Sequence, residues 1–378
     1  MGVVGLTVPE PDGGLGLGLV DLVGLLEEAG RACLPEPLAE TTGLVVPLLA
    51  DVGSFASGDA DRAGPQRDVA AAAVAAPAVA GADVAPADVA PAAVAGADVA
   101  PADVAPADVA ADLAHHWMRR VAQGSAIATI GVVAPRSSDT SRAPDGRASV
   151  VCGANADLVV VASPERVVAL EAGDASPEPA DSIDPTRRPA LMSYPSGAGT
   201  TLAVGEQAAE LTSRLADRGA LCTAAVLLGV ADRLIAFARD HALERHQFGR
   251  PIGSFQAVKH MLADAYIALE MARPTVYKAA WSLDAVVTTT STAGTAGGET
   301  TAGTASRDCS MAKAVTSEAA LQAARVALQV HGAIGYTWEH DLHMWLKRAW
   351  VLAASWGGVA THSDAVLRSV TGRAGRTG

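Results

Sequence analysis

The chain of 378 residues is long enough for two or three domains with a sizeable core, and half of its residues are hydrophobic. Its 41 acidic residues outnumber the 28 basic ones, and the formal charge of −13 argues against non-specific nucleic-acid binding, which needs a basic surface to neutralise phosphates. The four cysteines form no CxxC pair, and no stretch of about 18 uncharged apolar residues is found. These features argue against a disulfide framework, a zinc site and a membrane span, and they favour the cytoplasm.

The first part of the chain, 1–114, predicts a helical domain with a low-complexity insertion at 68–112. Apolar residues recur at helical spacing in "LVDLVGLLEEAGRACLPEP", 19–37, where prolines end the pattern, and "TTGLVVPLLADVG" predicts a second short helix. Residues 81–110 are six pentads of the GADVA and PADVA type, and their repeated proline or glycine is incompatible with a regular helix. The pentads resemble a pentapeptide β-solenoid, but a flexible alanine-rich insertion is the favoured interpretation.

Residues 115–205 predict a small β-domain, because short β-branched runs such as "SAIATIGVVAP", "ASVVCGANADLVVVAS" and "ERVVALEAG" are bounded by Gly, Pro, Asn and Ser. Residues 206–378 predict a helical bundle, in which Ser254 caps the helix that follows the first long one. The low-complexity stretch at 286–307 predicts a flexible surface loop. Helices, then a β-domain, then a bundle make a mostly helical α+β fold.

Two junctions between helices of the bundle are candidates for ligand binding. In "RHQFGRPIGSFQAVKHMLAD" two glycines and a proline allow a sharp turn after Phe248. Arg245 is either an anion ligand, because a guanidinium is always charged and can fork onto phosphate oxygens, or a partner of Glu244 or Asp240 in a surface ion pair. The second junction is "QVHGAIGYTWEHDLHMWLKRA", whose small residues would let a nucleotide approach the backbone closely.

With these segments the chain resembles the acyl-CoA dehydrogenase family, FAD enzymes that introduce a double bond between Cα and Cβ of an acyl-CoA. The junctions match the family patterns R-x-x-F-G-x-x-x-x-x-F-Q and Q-x-x-G-G/A-x-G-[YF], and "VPEPDGGLGLGLVDLVGLLEEAGRACLPEP" is similar to the family's N-terminal helical domain. The resemblance implies FAD as the cofactor and places Arg245 against the FAD of a neighbouring subunit. The residues assigned to the cofactor in this way are Arg245, Gln247, Phe248, Phe255, Gln256, Gln329, His331, Gly332 and Ala333.

The resemblance also indicates what this chain lacks. The family reaction needs a carboxylate that removes the Cα proton while hydride passes to flavin N5. Most members place this glutamate at the position of Trp356 and a minority at that of Gly219, so neither position holds a carboxylate here. Asp217 is close in sequence to Gly219, but two helical steps rotate it about 200° away. The family's T-E-P-x-A-G-S-D flavin loop survives at best as the remnant "VVAPRSSD", and the helices that usually precede "VPEPDGG" are absent.

Actinobacterial members with a similar "GYTWEHDLH" segment include heterotetramers, some of which act on CoA esters of steroid side chains. The resemblance therefore implies an FAD-dependent oxidoreductase in lipid or steroid catabolism, with acyl-CoA as substrate. This chain would be the subunit that contributes FAD contacts to a base-bearing partner. The alternatives are a homo-oligomer, a non-catalytic structural or regulatory homologue that binds neither FAD nor substrate, and a truncated or mis-started gene.

Two features of the C-terminal part are interpreted as ordinary structure. His340 and His343, beside two acidic residues, could suggest a metal, but the acidic residues suit the positive start of a helix and no metal site is predicted. The tryptophans at 338, 345, 350 and 356 lie near helical offsets and are predicted mostly to be packing residues.

Overall fold

The computed structural model describes residues 2–56, 106–133, 146–292 and 298–372. Helices dominate these residues and accompany a seven-stranded sheet, which confirms the expected mostly helical α+β fold. The helices are α1 (Leu19–Arg31), α2 (Val46–Ala56), α3 (Ala107–Ala122), α4 (Gly205–Glu244), α5 (Gln256–Thr292), α6 (Gly298–His331), α7 (Leu342–Ala354) and α8 (Val359–Thr371).

The two predicted N-terminal helices are present. The apolar residues at helical spacing in α1 are buried against α4, and a π-helical segment at Ala39–Val45 leads directly into α2. Gly18 before α1 has no side chain to cap the helix. Asp284 of α5 does so instead, because its carboxylate accepts hydrogen bonds from the backbone N–H groups of Leu19 (2.9 Å) and Val20 (3.0 Å). This contact fixes α1 to the helical bundle.

The end of the predicted insertion is helical, which corrects its boundary at 112. Pro106 precedes the first turn of α3, so the last pentad begins a helix. Proline is tolerated at the start of a helix. α3 also runs through the predicted domain boundary at 114, because Ala114, Trp117 and Met118 continue its buried face. The other pentads, 81–105, lie outside the described residues, as does most of "VVAPRSSD".

The sheet contains the predicted strands and three more. Its strands are β1 (Ala128–Val133), β2 (Gly146–Val151), β3 (Leu158–Ala162), β4 (Arg166–Glu171), β5 (Ser176–Pro179), β6 (Pro189–Tyr194) and β7 (Thr200–Val204). Their order is β5-β6-β2-β1-β3-β4-β7, in which the β1–β3 pair is parallel and the other pairs are antiparallel. Successive residues of β3 alternate between faces: Leu158 and Val160 join the main core, whereas Val159 and Val161 join a second apolar cluster on the opposite face.

The central helix of the bundle is α4, which packs against α1, α5 and α6. By length and composition α4 could cross a membrane, since its most apolar 18-residue window has a mean hydropathy of 1.8. Because 67% of that window is buried inside the protein, packing within the fold accounts for its apolar character.

Two expectations for the bundle need correction. Helix covers much of the stretch 286–307 predicted as a loop, since α5 extends to Thr292 and α6 begins at Gly298. The Thr- and Gly-rich composition of this segment did not indicate helix, whereas α5 and α6 pack against each other within the bundle. Ser254 does not cap α5: it ends a 3₁₀ turn at Ile252–Ser254, and its buried Oγ has no hydrogen-bond partner among the described residues.

Candidate functional site

The first junction is a tight β-hairpin between α4 and α5. Its two-residue strands, β8 (His246–Gln247) and β9 (Arg250–Pro251), pair in antiparallel register around Phe248 and Gly249. Both turn residues have positive φ, +55° and +78°, as a two-residue hairpin turn requires. Glycine adopts this conformation freely, whereas phenylalanine does so at some cost in strain. The turn projects the Phe248 side chain outward, where it is 90% exposed.

Aromatic rings and guanidinium groups meet at this hairpin. The rings of Phe248 and Phe255 lie edge to face at 6.1 Å, and the Arg250 guanidinium lies 4.1 Å from the centre of the Phe255 ring. The exposed guanidinium of Arg245 forms no ion pair within the described part of the chain, and Asp240 pairs with Arg239 instead (2.7 Å). The surface ion pair that was the alternative role for Arg245 is therefore not formed.

The second junction is the 3₁₀ segment Gly332–Tyr336, which follows α6 directly. Gly332 has a φ of +63°, the left-handed conformation that ends a helix and favours glycine. The last residue of α6, His331, is buried and donates a hydrogen bond from Nδ1 to the carbonyl of Ala327 (2.7 Å). Its Nε2 is therefore unprotonated in the neutral ring, and it has no partner among the described residues. Burial lowers the pKa of His331, so the ring stays neutral at neutral pH.

The two junctions lie side by side at one end of the bundle. His241, one turn before Arg245, stacks on His331 with the ring centres 4.4 Å apart and an angle of 23° between the planes. His340 lies against the same His331 ring at 4.7 Å. The pKa of His241 is lowered mainly by burial, and further by the nearby His340 and Arg245. Three imidazoles thus hold the ends of α4 and α6 together.

Seven of the nine residues assigned to the cofactor by resemblance are exposed at this end of the bundle, and we call them the junction face. They are Arg245, Gln247, Phe248, Gln256, Gln329, Gly332 and Ala333. Phe255 is partly exposed and His331 is buried, so these two residues support the face from beneath.

Two aromatic residues near the second junction are highly exposed, although neither was among the predicted site residues. Trp338, predicted to be a packing residue, is 75% exposed, and Tyr336 is 76% exposed. The Lys347 ammonium lies 3.7 Å from the centre of the Trp338 ring. Trp338 lies outside α7, in an irregular segment, so helical offsets gave no information about its direction. Trp345, by contrast, is buried, as the sequence predicted.

His340 and His343 turn to different neighbours. The His340 ring lies against His331 and its Nδ1 accepts the backbone N–H of Leu342 (3.0 Å), which caps the start of α7. The His343 ring lies against Trp338 at 4.6 Å. Among the described residues, no group of three or more His, Cys, Asp or Glu side chains is arranged to hold a metal ion.

The two positions at which the family would carry its base are in contact. Trp356 follows α7 in the left-handed conformation (φ +58°), and its indole covers Gly219 in the middle of α4. A Cβ at Gly219 would lie 2.3 Å from Cδ2 of the indole, closer than any real contact allows. Asp217 faces α6, where Ser306 Oγ donates to its carboxylate (2.9 Å).

Little space remains beside the Trp356 ring. A cavity of about 20 Å³ lies there, lined in part by Glu40, Ser149 and Arg187, and holds at most a water or two. The Glu40–Arg187 ion pair (2.5 Å) also borders a second cavity of about 40 Å³, which reaches Arg348. The surroundings of the base positions are therefore occupied by the Trp356 ring and by the Glu40–Arg187 ion pair.

Comparison with known proteins agrees with the resemblance. Residues 1–57 match the family model "Acyl-CoA dehydrogenase, N-terminal domain", and residues 210–371 match "Acyl-CoA dehydrogenase, C-terminal domain". The acyl-CoA dehydrogenase IpdE2 of Mycobacterium tuberculosis is 30% identical over 354 residues, which cover 92% of this chain and 77% of that protein. IpdE2 of Mycolicibacterium smegmatis is 29% identical over 349 residues, with 92% and 78% covered.

Solved structures of the same fold are more distant in sequence. The ChsE4-ChsE5 complex from Mycobacterium tuberculosis matches with a TM-score of 0.68 at 21% identity, covering 99% of this chain and 86% of that chain. The FAD complex of PigA matches with a TM-score of 0.66 at 18% identity, covering 98% and 86%. With both family models matched and a relative of 30% identity aligned along most of its length, the chain belongs to the acyl-CoA dehydrogenase family.

Proposed function

We propose that this chain is the subunit of a hetero-oligomeric, FAD-dependent acyl-CoA dehydrogenase that contributes contacts to the cofactor but not the catalytic glutamate. A partner subunit of the same family supplies the base, and α,β-dehydrogenation of an acyl-CoA thioester takes place in the partner's cleft. One observation carries the proposal. The junction face is exposed and its Arg245 has no ion-pair partner within the described residues, while the base positions Trp356 and Gly219 are packed against each other.

The chemistry of the junction face fits a flavin nucleotide. FAD carries a doubly anionic pyrophosphate, for which Arg245 offers a guanidinium without an ion-pair partner among the described residues. The carboxamides of Gln247, Gln256 and Gln329 can donate to and accept from the polar edges of adenosine. Gly332 and Ala333 present little side chain, so a nucleotide can approach the backbone there. FAD bound here supplies hydride acceptance at the partner's site, and this chain's residues bind and orient it.

The exposed aromatic ring supports the same assignment. A phenylalanine side chain gains about 1.5–3 kcal/mol from full burial, so the 90% exposure of Phe248 leaves most of that free energy unused in the isolated chain. A planar nucleotide or a partner surface would cover the ring. The turn also holds Phe248 in a left-handed conformation, and strained residues of this kind cluster at ligand contacts.

The relatives support the finer parts of the proposal. One similar structure is a complex of two different subunits, ChsE4 and ChsE5, and another is the steroid acyl-CoA dehydrogenase Tcur3481-Tcur3483. By analogy we place this chain in a heterotetramer that acts on a lipid- or steroid-derived acyl-CoA. We also place it in the cytoplasm, since the four cysteines are free and buried, in keeping with a reducing compartment.

Co-expression with a base-bearing acyl-CoA dehydrogenase encoded beside this chain's gene tests the proposal. The expected result is a yellow complex that dehydrogenates acyl-CoA, whereas this chain purified by itself is inactive. Within the complex, Arg245→Ala should lower the FAD retained after gel filtration. Arg239→Ala is the matched control, because Arg239 is also exposed near the end of α4 but pairs with Asp240. A fully active homo-oligomer, or equal flavin content in the Arg245 variant and the control, would contradict the proposal.

The packing of Trp356 on Gly219 favours one alternative from another class: a structural or regulatory homologue that binds neither FAD nor substrate. The flavin absorbance spectrum of the purified complex separates the two. The alternative would be favoured if the complex assembles without flavin absorbance and the partner is stable only when this chain is present.

A further inference from the structure

The indole of Trp356 occupies a socket that α4 provides. A Cβ on Gly219 would lie 2.3, 2.6 and 2.7 Å from Cδ2, Cε3 and Cε2 of Trp356, three atoms of the six-membered part of the indole. The flat side of this ring therefore covers the Gly219 backbone. Leu228 and other apolar residues of α4 belong to the core cluster against which the indole packs. Only glycine at position 219 leaves room for the ring at this distance.

Lys313 of α6 binds the chain on both sides of Trp356. Its side chain is fully buried, and its ammonium donates to the carbonyls of Ala353 (3.0 Å) and Gly357 (3.2 Å) and to Ser317 Oγ (3.0 Å). An ammonium has three N–H donors, so these oxygens satisfy its donor capacity. All three acceptors are neutral, and a buried charge without a carboxylate partner is costly. Its placement is understandable if its task is to fix the turn that carries Trp356.

His362 of α8 binds the same turn from another side. Its Nε2–H donates to the carbonyl of Trp356 (2.8 Å), and its Nδ1 accepts from Ser310 Oγ of α6 (3.2 Å). Burial lowers the pKa of His362, so the ring is neutral at pH 7 and holds one proton, as this pair of bonds requires. Trp356 itself has a φ of +58°, which a non-glycine residue keeps only where its surroundings fix it. Side chains from α6 and α8 thus bind backbone carbonyls of residues before and after Trp356 and the carbonyl of Trp356 itself.

We propose that Trp356 is a built-in occupant of this chain's own cleft, a planar aromatic group that fills the Gly219 socket and excludes flavin and acyl group from it. Lys313 and His362 are its positioning residues. Once the indole is removed, the socket takes a planar aromatic molecule of indole size. The consequence for a complex rests on the proposed function: FAD is bound at the partner's cleft alone, one flavin for each pair of unlike subunits.

Chemical rescue tests the occupant in this chain without any partner or flavin. Trp356→Gly should lower the Tm by several degrees, and added indole should restore it in a saturable way, with one indole bound per chain in titration calorimetry. The wild-type chain should not respond to indole. Trp338→Gly is the matched control, because removal of that 75% exposed ring leaves no buried space. An unchanged Tm in Trp356→Gly, or a destabilised variant that binds no indole, would overturn the proposal.

A variant too unstable to accumulate still gives a result. In that case Trp356→Gly is refolded from urea with and without indole, and the yield of helical, monodisperse protein is measured. The proposal expects the yield to be higher with indole than in buffer alone. It expects indole to leave the yield of a chain that carries Trp338→Gly unchanged. No gain in yield with indole would count against the socket.

Flavin stoichiometry in the complex separates this inference from the proposed function. One FAD per pair of unlike subunits, measured by absorbance after denaturation, is the expected result. Two FAD per pair would overturn the built-in occupant while leaving the hetero-oligomeric enzyme intact. No FAD together with a positive indole rescue would overturn the proposed function and leave the occupied socket standing.

Discussion

For Gly219→Ala the structure predicts clearly whether the free energy of unfolding rises or falls. In the interior of an ordinary helix this change stabilises a protein by about 0.5–1 kcal/mol, because glycine loses more conformational freedom on folding. Here the new methyl group would lie within 2.7 Å of three indole atoms. Overpacking of this kind costs about 1–3 kcal/mol. Because Lys313 and His362 hold the turn of Trp356 in place, we expect the upper part of that range and a net loss of about 2 kcal/mol.

The chain offers a matched control in α1. A Cβ at Gly24 would meet nothing closer than the Tyr277 hydroxyl at 3.7 Å, an ordinary van der Waals contact. Gly24→Ala should therefore raise the free energy of unfolding by about 0.5–1 kcal/mol. The two substitutions are chemically identical and both lie within helices, so their opposite signs isolate the effect of the indole.

A double-mutant cycle makes the reasoning refutable. The free energy of unfolding is measured by urea titration with circular dichroism at 222 nm for Gly219→Ala, Trp356→Gly and the double variant. With the indole gone, the methyl group has room, so Gly219→Ala should become stabilising and the coupling energy should be about 2–3 kcal/mol. Equal effects of Gly219→Ala in both backgrounds, or a more stable single variant, would refute the direct contact between the two positions.

Two further predictions concern buried cations. Arg348→Met should lower the free energy of unfolding, measured by urea titration, by about 3–5 kcal/mol. Arg348 and Asp184 are both nearly fully buried and 2.5 Å apart, so the carboxylate would lose its partner. Arg239→Met removes an exposed ion pair and should change the free energy of unfolding by under about 1 kcal/mol. Burial lowers the pKa of Lys313 from 10.5 to about 7, so between these values the unfolded chain binds more protons than the folded one. The stability of the wild type relative to Lys313→Met should therefore rise from pH 7 to pH 9.5, by up to about 1.4 kcal/mol per pH unit, and a pH-independent difference would contradict a buried, depressed lysine.

Hydrophobic periodicity predicted the helices and strands whose buried face can be recognised from their own sequence. The apolar spacing of α1 and α4 and the β-branched runs of β1 to β4 were sufficient, because each such segment presents one or two apolar faces to the core. The strands β5 to β7 were missed for a physical reason. β5 is an exposed edge strand with the sequence SPEP, and it is defined by its pairing with β6 rather than by its own composition.

The candidate site divides in the same way. Sequence motifs identified the junctions, but their common location depends on the stacking of His241 on His331, residues 90 positions apart whose contact no local pattern encodes. The contact between Trp356 and Gly219 could not be predicted either. The sequence identified both positions as lacking a carboxylate, yet it gave no sign that an aromatic ring at one position requires glycine at the other.

Trp356 and the junction face lie near opposite ends of α7, and ion pairs join this helix to the rest of the chain. The Glu40–Arg187 pair lines the small cavity beside Trp356, and Arg187 belongs to the same short segment as Asp184, the partner of Arg348 on α7. An open cleft would bring water to these ion pairs and weaken their Coulomb attraction several-fold. Beside the indole only a cavity of about 20 Å³ remains, which has room for a water or two next to the Glu40–Arg187 pair. The α7 backbone in turn carries Trp356 at its end and the His340 cap at its start, beside His331. Trp356 therefore lies at one end of α7, and the other end of the helix is held beside His331, which supports the junction face from beneath.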